Sequence, residues 1–207
     1  MKRQHHIISE KNIQPVFFAP LLSDTKDVIT GNNGTLSGSI AYGDKGAYFG
    51  GGAYLRFDNE RHNVLPPSLT QSMTFLCDFY NTSSSGHNAI LIFQKNTSAR
   101  FVSLIYNNRR FATEKIGSGN VVAQWTTNII LNTQYNNCGF TWDADTRKLS
   151  VIVNGEIKST VSVSSLPDYS SPTILIGWAD ASSNCFKGWL RNVRFYNQKF
   201  NEQMIML

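Results

Sequence analysis

The stretch Cys138-Gly139-Phe140-Thr141-Trp142-Asp143, continued by Lys148-Leu149-Ser150-Val151-Ile152-Val153 and closed by Asn154-Gly155, decides the fold. In the first run Cys138, Phe140 and Trp142 alternate with small or polar residues, and in the second Leu149, Val151 and Val153 keep the same period. A period of two puts such residues on one face of a strand. Asp143 to Lys148 supplies a polar turn. Asn154-Gly155 is a two-residue hairpin connection, because a tight hairpin needs residues that tolerate positive φ. The sequence therefore predicts consecutive antiparallel strands, the last one covering Ile157 to Val163.

The same grammar extends outward. In Met73-Thr74-Phe75-Leu76-Cys77-Asp78-Phe79 the residues Met73, Phe75, Cys77 and Phe79 share a face, while Thr74 and Asp78 point the other way. Shorter apolar runs stand at Val16 to Phe18, Ser37 to Tyr42 and Ala53 to Phe57. Gly50-Gly51-Gly52, Pro66-Pro67 and Ser83-Ser84-Ser85-Gly86 separate such segments. No long amphipathic helix is present. Asn201 to Leu207 predicts one helical turn, capped by Asn201 with Glu202 in its first turn. Many short strands between turn signals predict an all-β fold of two antiparallel sheets, a jelly-roll sandwich. With no repeat and no internal linker, residues 15–207 read as one domain behind an N-terminal arm, residues 1–14. His5-His6 in that arm reads as part of a polar tail rather than as a metal site.

Hydrophobic residues make up 41% of the 207, enough for a core, and charged residues only 16%. The polar surface must then come from Asn, Ser, Thr and Gly, which suits strands and turns. The net charge of +5 is scattered, with small concentrations at Lys2-Arg3 and Arg109-Arg110. Nucleic-acid binders gather Lys and Arg on one face, so no nucleic-acid partner is expected, whereas acidic glycans are compatible. No run is long enough to span a bilayer, so no membrane insertion is expected. Met1 to Glu10 is polar and Val16 to Leu22 is short and broken by Pro20, so no signal peptide is read. A virion or other extracellular location reached without a signal is the expectation, with the cytoplasm as the alternative. Cys77, Cys138 and Cys185 are widely spaced and form no C-x-x-C, against a zinc knuckle or a dense disulfide scaffold.

Several ordered segments carry a resemblance. Leu21-Leu22, Asp27, Gly31-Asn32-Asn33-Gly34 and Gly38 precede Gly46-Ala47-Tyr48-Phe49 and Gly52-Ala53-Tyr54-Leu55. Ser72-Met73-Thr74-Phe75 follows, then the Phe140 to Gly155 hairpin and Ile174 to Gly177. Phe186-Lys187-Gly188-Trp189-Leu190-Arg191-Asn192-Val193-Arg194-Phe195-Tyr196-Asn197 and Phe200 to Ile205 close the series. From about Ala19 onward the chain resembles the LamG-like and pentraxin branch of the concanavalin A-like lectin/glucanase jelly rolls. The resemblance places Cys77 and Cys138 in the strands that carry the pentraxin disulfide. It leaves open whether they form that bond or remain two close, buried thiols.

The resemblance also frames the sites. Hydrolases of this superfamily set two carboxylates on one strand, and no Glu-x-Asp-x-x-Glu cluster occurs here. Asp143 and Asp145 fall in a hairpin turn, His62 and His87 in loops, and no G-x-S-x-G elbow is present, so no catalytic residues are assigned. Of the pentraxin calcium carboxylates only Asp180 has a counterpart, and Lys95 to Ala99 holds no Asp-Asn pair. No cofactor is expected, and one structural calcium at Asp24, Asp27 and Asn32 is an alternative to a plain Asx/Gly turn. Sugar sites need an aromatic platform and planar polar groups. Two constellations qualify: Trp178 with Asp180, Ser182 and Asn184, and Tyr106-Asn107-Asn108-Arg109. Trp125 and Trp189 fit core packing as well as they fit such a platform. The expected function is a non-enzymatic, lectin-like adhesion module for surface carbohydrate, displayed on a phage or virus particle. The alternative is a structural virion decoration or assembly protein that docks other proteins, as a homo-oligomer or in a larger assembly; a glycoside hydrolase is the third and least favoured reading.

Overall fold

The computed structural model describes residues 13–58, 69–82, 87–96, 99–107, 110–116, 121–126, 135–164, 173–177 and 185–205. Its strands in chain order are β1 (Phe17–Ala19), β2 (Thr35–Ser37), β3 (Ile40–Gly43), β4 (Gly46–Gly50), β5 (Tyr54–Asp58), β6 (Met73–Asn81), β7 (His87–Asn96) and β8 (Ala99–Asn107). Then come β9 (Arg110–Ile116), β10 (Val121–Thr126), β11 (Asn136–Asp143), β12 (Lys148–Val153), β13 (Glu156–Ser162), β14 (Thr173–Ile176) and β15 (Lys187–Tyr196), followed by the helical turn α1 (Glu202–Ile205). The eight-stranded sheet runs β13-β12-β11-β6-β15-β4-β3, with β1 sharing an edge of β15. The seven-stranded sheet runs β10-β9-β8-β7-β14-β5-β2. All pairings are antiparallel, so the expected two-sheet jelly-roll sandwich is the observed fold.

The alternation read from the sequence becomes burial. Met73, Phe75, Cys77 and Phe79 of β6, Cys138, Phe140 and Trp142 of β11, and Leu149, Val151 and Val153 of β12 are all fully buried between the sheets. Phe17, Phe49, Phe57 and Phe186 join them, with Phe17 edge-on to Phe57 at 4.9 Å between centroids. Each such aromatic contributes about 1.5–3 kcal/mol relative to exposure. The Trp142 Nε1 donates to the Leu69 carbonyl at 3.0 Å, so its burial leaves no stranded donor. Asn154 and Gly155 both have positive φ, 50° and 81°, as the hairpin between β12 and β13 requires. Gly46 has φ 100°, and a Cβ there would meet the Leu190 carbonyl oxygen at 2.4 Å. Glycine thus permits the close approach of β4 to β15.

A second, smaller core lies outside the sandwich. Leu76 and Ile152 point away from the main core, and Tyr196, Phe200 and Ile205 cover them, with Ile13, Ile157 and Met204 at the margin. The expected arm therefore has its last part packed on the domain at Ile13, while residues 1–12 lie outside the described residues. The cover is fixed by buried hydroxyls. Thr74 and Thr141 are 2.9 Å apart, the Thr74 Oγ1 donates to the Gln198 carbonyl, and the Phe200 N–H donates to both hydroxyls at 3.0 Å. The expected helical turn forms as α1, where the Met204 N–H donates to the Asn201 Oδ1.

Candidate outer-face binding site

β15 is the strand around which the outer face of the larger sheet is arranged. Its outward residue Trp189 lies opposite Tyr48 of β4 on one side and Tyr80 of β6 on the other. Tyr135, just before β11, adds a fourth ring beside Tyr80, with centroids 5.7 Å apart. The Tyr48 and Trp189 centroids are 5.1 Å apart, tilted at 52°. A Cβ at Gly43 would stand 3.8 Å from the indole, so the bare backbone of β3 leaves room for it. All four rings are half-buried. The result is an aromatic row across three neighbouring strands, extended by Tyr135 just before β11.

A polar row runs beside it, two residues along. Arg191 lies opposite Asp78, and Asp78 opposite Asn137. The Asp78 carboxylate accepts from the Asn137 Nδ2 at 2.9 Å and from the Asn192 Nδ2 at 2.8 Å. The Arg191 Nε is 3.6 Å from Asp78, an ion pair rather than a hydrogen bond, and it is buried without an acceptor. The guanidinium instead stacks on Tyr135, 3.8 Å from the ring centroid. The Tyr135 hydroxyl donates to the Lys45 carbonyl, tying the start of β11 to the β3–β4 turn, and the Lys45 Nζ sits 5.3 Å from the Tyr80 ring. Burial raises the Tyr135 phenol above its usual range; Arg191 opposes this, while Asp44, Asp78 and Tyr80 reinforce it. The hydroxyl is therefore a neutral donor at ordinary pH.

A bulge gives β15 this outward set. The register with β6 shifts between Arg191 and Arg194, and Asn192 has φ 53°. One extra residue re-aims the side chains on either side. Leu190, Val193 and Phe195 enter the core, while Arg191 and Arg194 both pair with outward residues of β6. Strict alternation from Trp189 would have put Val193 and Phe195 outside. Of the two placements open to Trp189, core or platform, the structure has the outer face, because Gly188 and Leu190 take the inward phase. Tyr80 was readable in advance, since it falls on the Thr74/Asp78 phase of β6. Tyr135 and the bulge had no local signal.

The sites nominated from sequence fare differently. Trp178, Asp180, Ser182, Asn184, Asn108 and Arg109 lie outside the described residues. Tyr106 and Asn107 end β8, whose side chains are likewise outside the description. Asn107 pairs with Arg110, so this segment turns β8 into β9 as a hairpin. Trp125 lies on β10, again without a described side chain. Asp27 is fully buried. Its Oδ1 accepts from the Phe18 and Ile29 N–H groups, and its Oδ2 from the Thr30 N–H and hydroxyl. Asp24 accepts from the Lys26 N–H, and the Asn32 carbonyl from the Asp27 N–H. Four donors saturate the Asp27 carboxylate, so it organises the turn around itself. Among the described residues no group of three His, Cys, Asp or Glu is gathered that would hold a metal ion. Asp143 forms its turn by accepting from the Asp145 and Thr146 N–H groups, and it pairs with Lys199 at 2.6 Å. Burial alone would raise its carboxyl, but hydrogen bonds from Lys199 and Thr146 outweigh that and hold it at about 2. Cys77 and Cys138 are direct cross-strand neighbours, both thiols, with sulfurs 3.6 Å apart. Burial, reinforced by Cys77 and Asp78, pushes the Cys138 thiol well above its usual value, so that sulfur is not a poised nucleophile.

The fold agrees with the comparisons. Residues 49–206 match the Laminin_G_3 family, described as the concanavalin A-like lectin/glucanases superfamily. The chain belongs to that superfamily. A comparison with curated proteins finds no match. Among solved structures, domain 4 of AbnA, a GH43 extracellular arabinanase from Geobacillus stearothermophilus in complex with arabinotriose, aligns with a TM-score of 0.74 at 19% identity. That alignment covers 93% of this chain and 97% of the domain. The CBM40 of a Ruminococcus gnavus IT-sialidase bound to alpha2,3 sialyllactose aligns at 0.56 and 14% identity, over 66% of this chain and 82% of the module. A Trypanosoma rangeli sialidase aligns at 0.67 and 16% identity over 91% of this chain but 31% of the enzyme. At such identities the likeness is one of fold, and the fold is shared by binding modules and by glycoside hydrolases.

Proposed function

We propose that this protein is a non-enzymatic carbohydrate-binding module whose ligand rests on the outer face of the eight-stranded sheet. The observation that carries the reading is the row Tyr48–Trp189–Tyr80–Tyr135 with Arg191, Asp78 and Asn137 alongside. Aromatic faces match the apolar faces of sugar rings, and amide or guanidinium donors match their hydroxyls. The ligands bound to two structural neighbours, arabinotriose and sialyllactose, point the same way. Against hydrolysis, the carboxylate beside the row, Asp78, is engaged by two amides and an arginine, which leaves it no general acid or base role. In this reading the module is displayed where glycans are, on a virion or outside a cell.

A glycan array with and without calcium, run on the wild type and on Trp189→Ala, tests the reading. It expects a defined set of glycans bound by the wild type, retained without calcium and lost in the variant. A blank array under both conditions defeats it, and cleavage of a bound polysaccharide by concentrated protein defeats its non-enzymatic part. A second reading, a virion decoration or assembly protein, draws on the half-exposed apolar residues Leu22, Val28 and Ile29 between β1 and β2 and Leu36 within β2. Stoichiometric incorporation into a symmetric particle, measured by native mass spectrometry, would favour it.

A further inference from the structure

β15 carries more than its tryptophan. Its outward residues are Lys187, Trp189 and Arg191, and the bulge adds Arg194 to the same face. Lys187 is exposed and lies alongside Gly51, while Arg191 and Arg194 are half-buried. From Lys187 to Arg194 the stripe is roughly 20 Å long at strand rise. Lys45 stands beside it, over Tyr80. The opposing carboxylates near the stripe are Asp78, engaged by Asn137, Asn192 and Arg191, and Asp44 in the exposed β3–β4 turn. Among the described residues, neither Lys187 nor Lys45 has a carboxylate within ion-pair distance. Among the described residues Arg191 and Asp78 offset each other, which leaves Lys187, Arg194 and Lys45 against Asp44. A long cationic stripe broken by one indole fits a chain that presents ring faces and anionic groups together.

We propose that the ligand is an acidic glycan lying along β15, its anionic groups held by Lys187, Arg191 and Arg194 and one ring on Trp189. The proposal rests on the carbohydrate-binding reading and adds the charge of the ligand. Uronate carboxylates and sulfate esters share the chemistry that an arginine fork recognises. Spaced cations also make the attraction depend on salt, with a screening length of about 8 Å at 0.15 M.

Calorimetric titration of the full chain tests this with polygalacturonate, carboxyl-reduced polygalacturonate, dextran sulfate and dextran. The expected result is that at least one acidic polymer binds about tenfold or more tightly than its neutral counterpart, carboxylate and sulfate being separated by which pair differs. That advantage should shrink severalfold in Lys187→Gln and in Arg194→Gln and as salt rises. Lys148→Gln, which removes the same charge at the far end of β12, should stay within about twofold of wild type. Equal binding of acidic and neutral polymers overturns the proposal while leaving the carbohydrate reading intact. An equal loss in Lys148→Gln overturns it as well, since net charge alone would then explain the preference. Binding of single-stranded DNA as tight as that of the acidic polymer overturns it in favour of a general polyanion surface, and binding of none of the four polymers also overturns it. A blank glycan array, by contrast, removes the underlying reading itself.

Discussion

Along β6 the outward residues change character at Leu76. On one side Thr74 and Leu76 lie beneath Gln198, Phe200 and α1, and their hydroxyl and methyl groups are buried. On the other side, among the described residues, Asp78 and Tyr80 carry no such cover and stay half-exposed among Trp189, Arg191 and Tyr135. Both halves use the same strands and the same outward phase. The covered half satisfies its polar groups internally, through Thr74, Thr141 and the Phe200 N–H. The open half leaves rings half-exposed and a guanidinium Nε without an acceptor. Outward side chains become core or become surface according to whether a later segment folds over them. A face that stays open while carrying this much aromatic area is a place for something other than the chain itself.

That contrast can be broken by mutation. Phe200→Ala should have the largest effect, lowering stability by about 3 kcal/mol in denaturant unfolding because it opens the smaller core, with glycan affinity within twofold of wild type. A matching loss of affinity would show that the two halves are not independent. Trp189→Ala should do the reverse, weakening binding about tenfold, or about 1.4 kcal/mol, with a smaller change in the unfolding midpoint than Phe200→Ala. A variant that unfolds as readily as Phe200→Ala would make Trp189 structural. Thr74→Val should cost about 1 kcal/mol, since it removes one of two acceptors of the Phe200 N–H and a donor to Gln198. Thermal melts of Thr74→Val and Thr141→Val, singly and together, would show whether the loss grows once both acceptors are gone.

The smallest effect concerns the ion pair at the root of the cover, Lys199 with Asp143. The Asp143 carboxyl is held at about 2 against an ordinary 3.8. A depressed folded value means the stabilisation is present above the ordinary value and is lost as pH falls through the folded one. The melting temperature of the wild type relative to Asp143→Asn should therefore be constant above about pH 4 and narrow towards about 2. A difference unchanged down to pH 2 would remove the pair from the account. Lys199 is exposed, so the shift should be slight and reduced by salt.

The main core was legible because period-two alternation is local: Met73 to Phe79 and Cys138 to Trp142 each announce their inward face. The hairpin at Asn154-Gly155 was legible because only certain residues take positive φ. The open site was not, for a physical reason. Its members come from β4, β6, β11 and β15, and only sheet order brings Tyr48, Trp189, Tyr80 and Tyr135 into one row. The bulge at Asn192 then breaks the alternation that sequence reading relies on. Reading β6 one residue further, to Tyr80, would have flagged an outward aromatic. Asp27, an acidic residue among Asn and Gly, uses its carboxylate to hold its own turn.

β15 lies between β6 on one side and β1 and β4 on the other, so the middle of the larger sheet is completed by one of the last strands in the chain. Asn192 and Asp78, hydrogen-bonded in the folded state, are 114 positions apart. Closing so long a loop costs entropy before any contact offsets it. Folding dominated by such pairings runs in milliseconds to seconds, and until β15 inserts, the edges of β6 and β4 are unpaired templates for other chains. Refolding yield should therefore fall steeply with protein concentration, and substitutions in β15 should slow folding more than equally destabilising ones in the local β12–β13 hairpin.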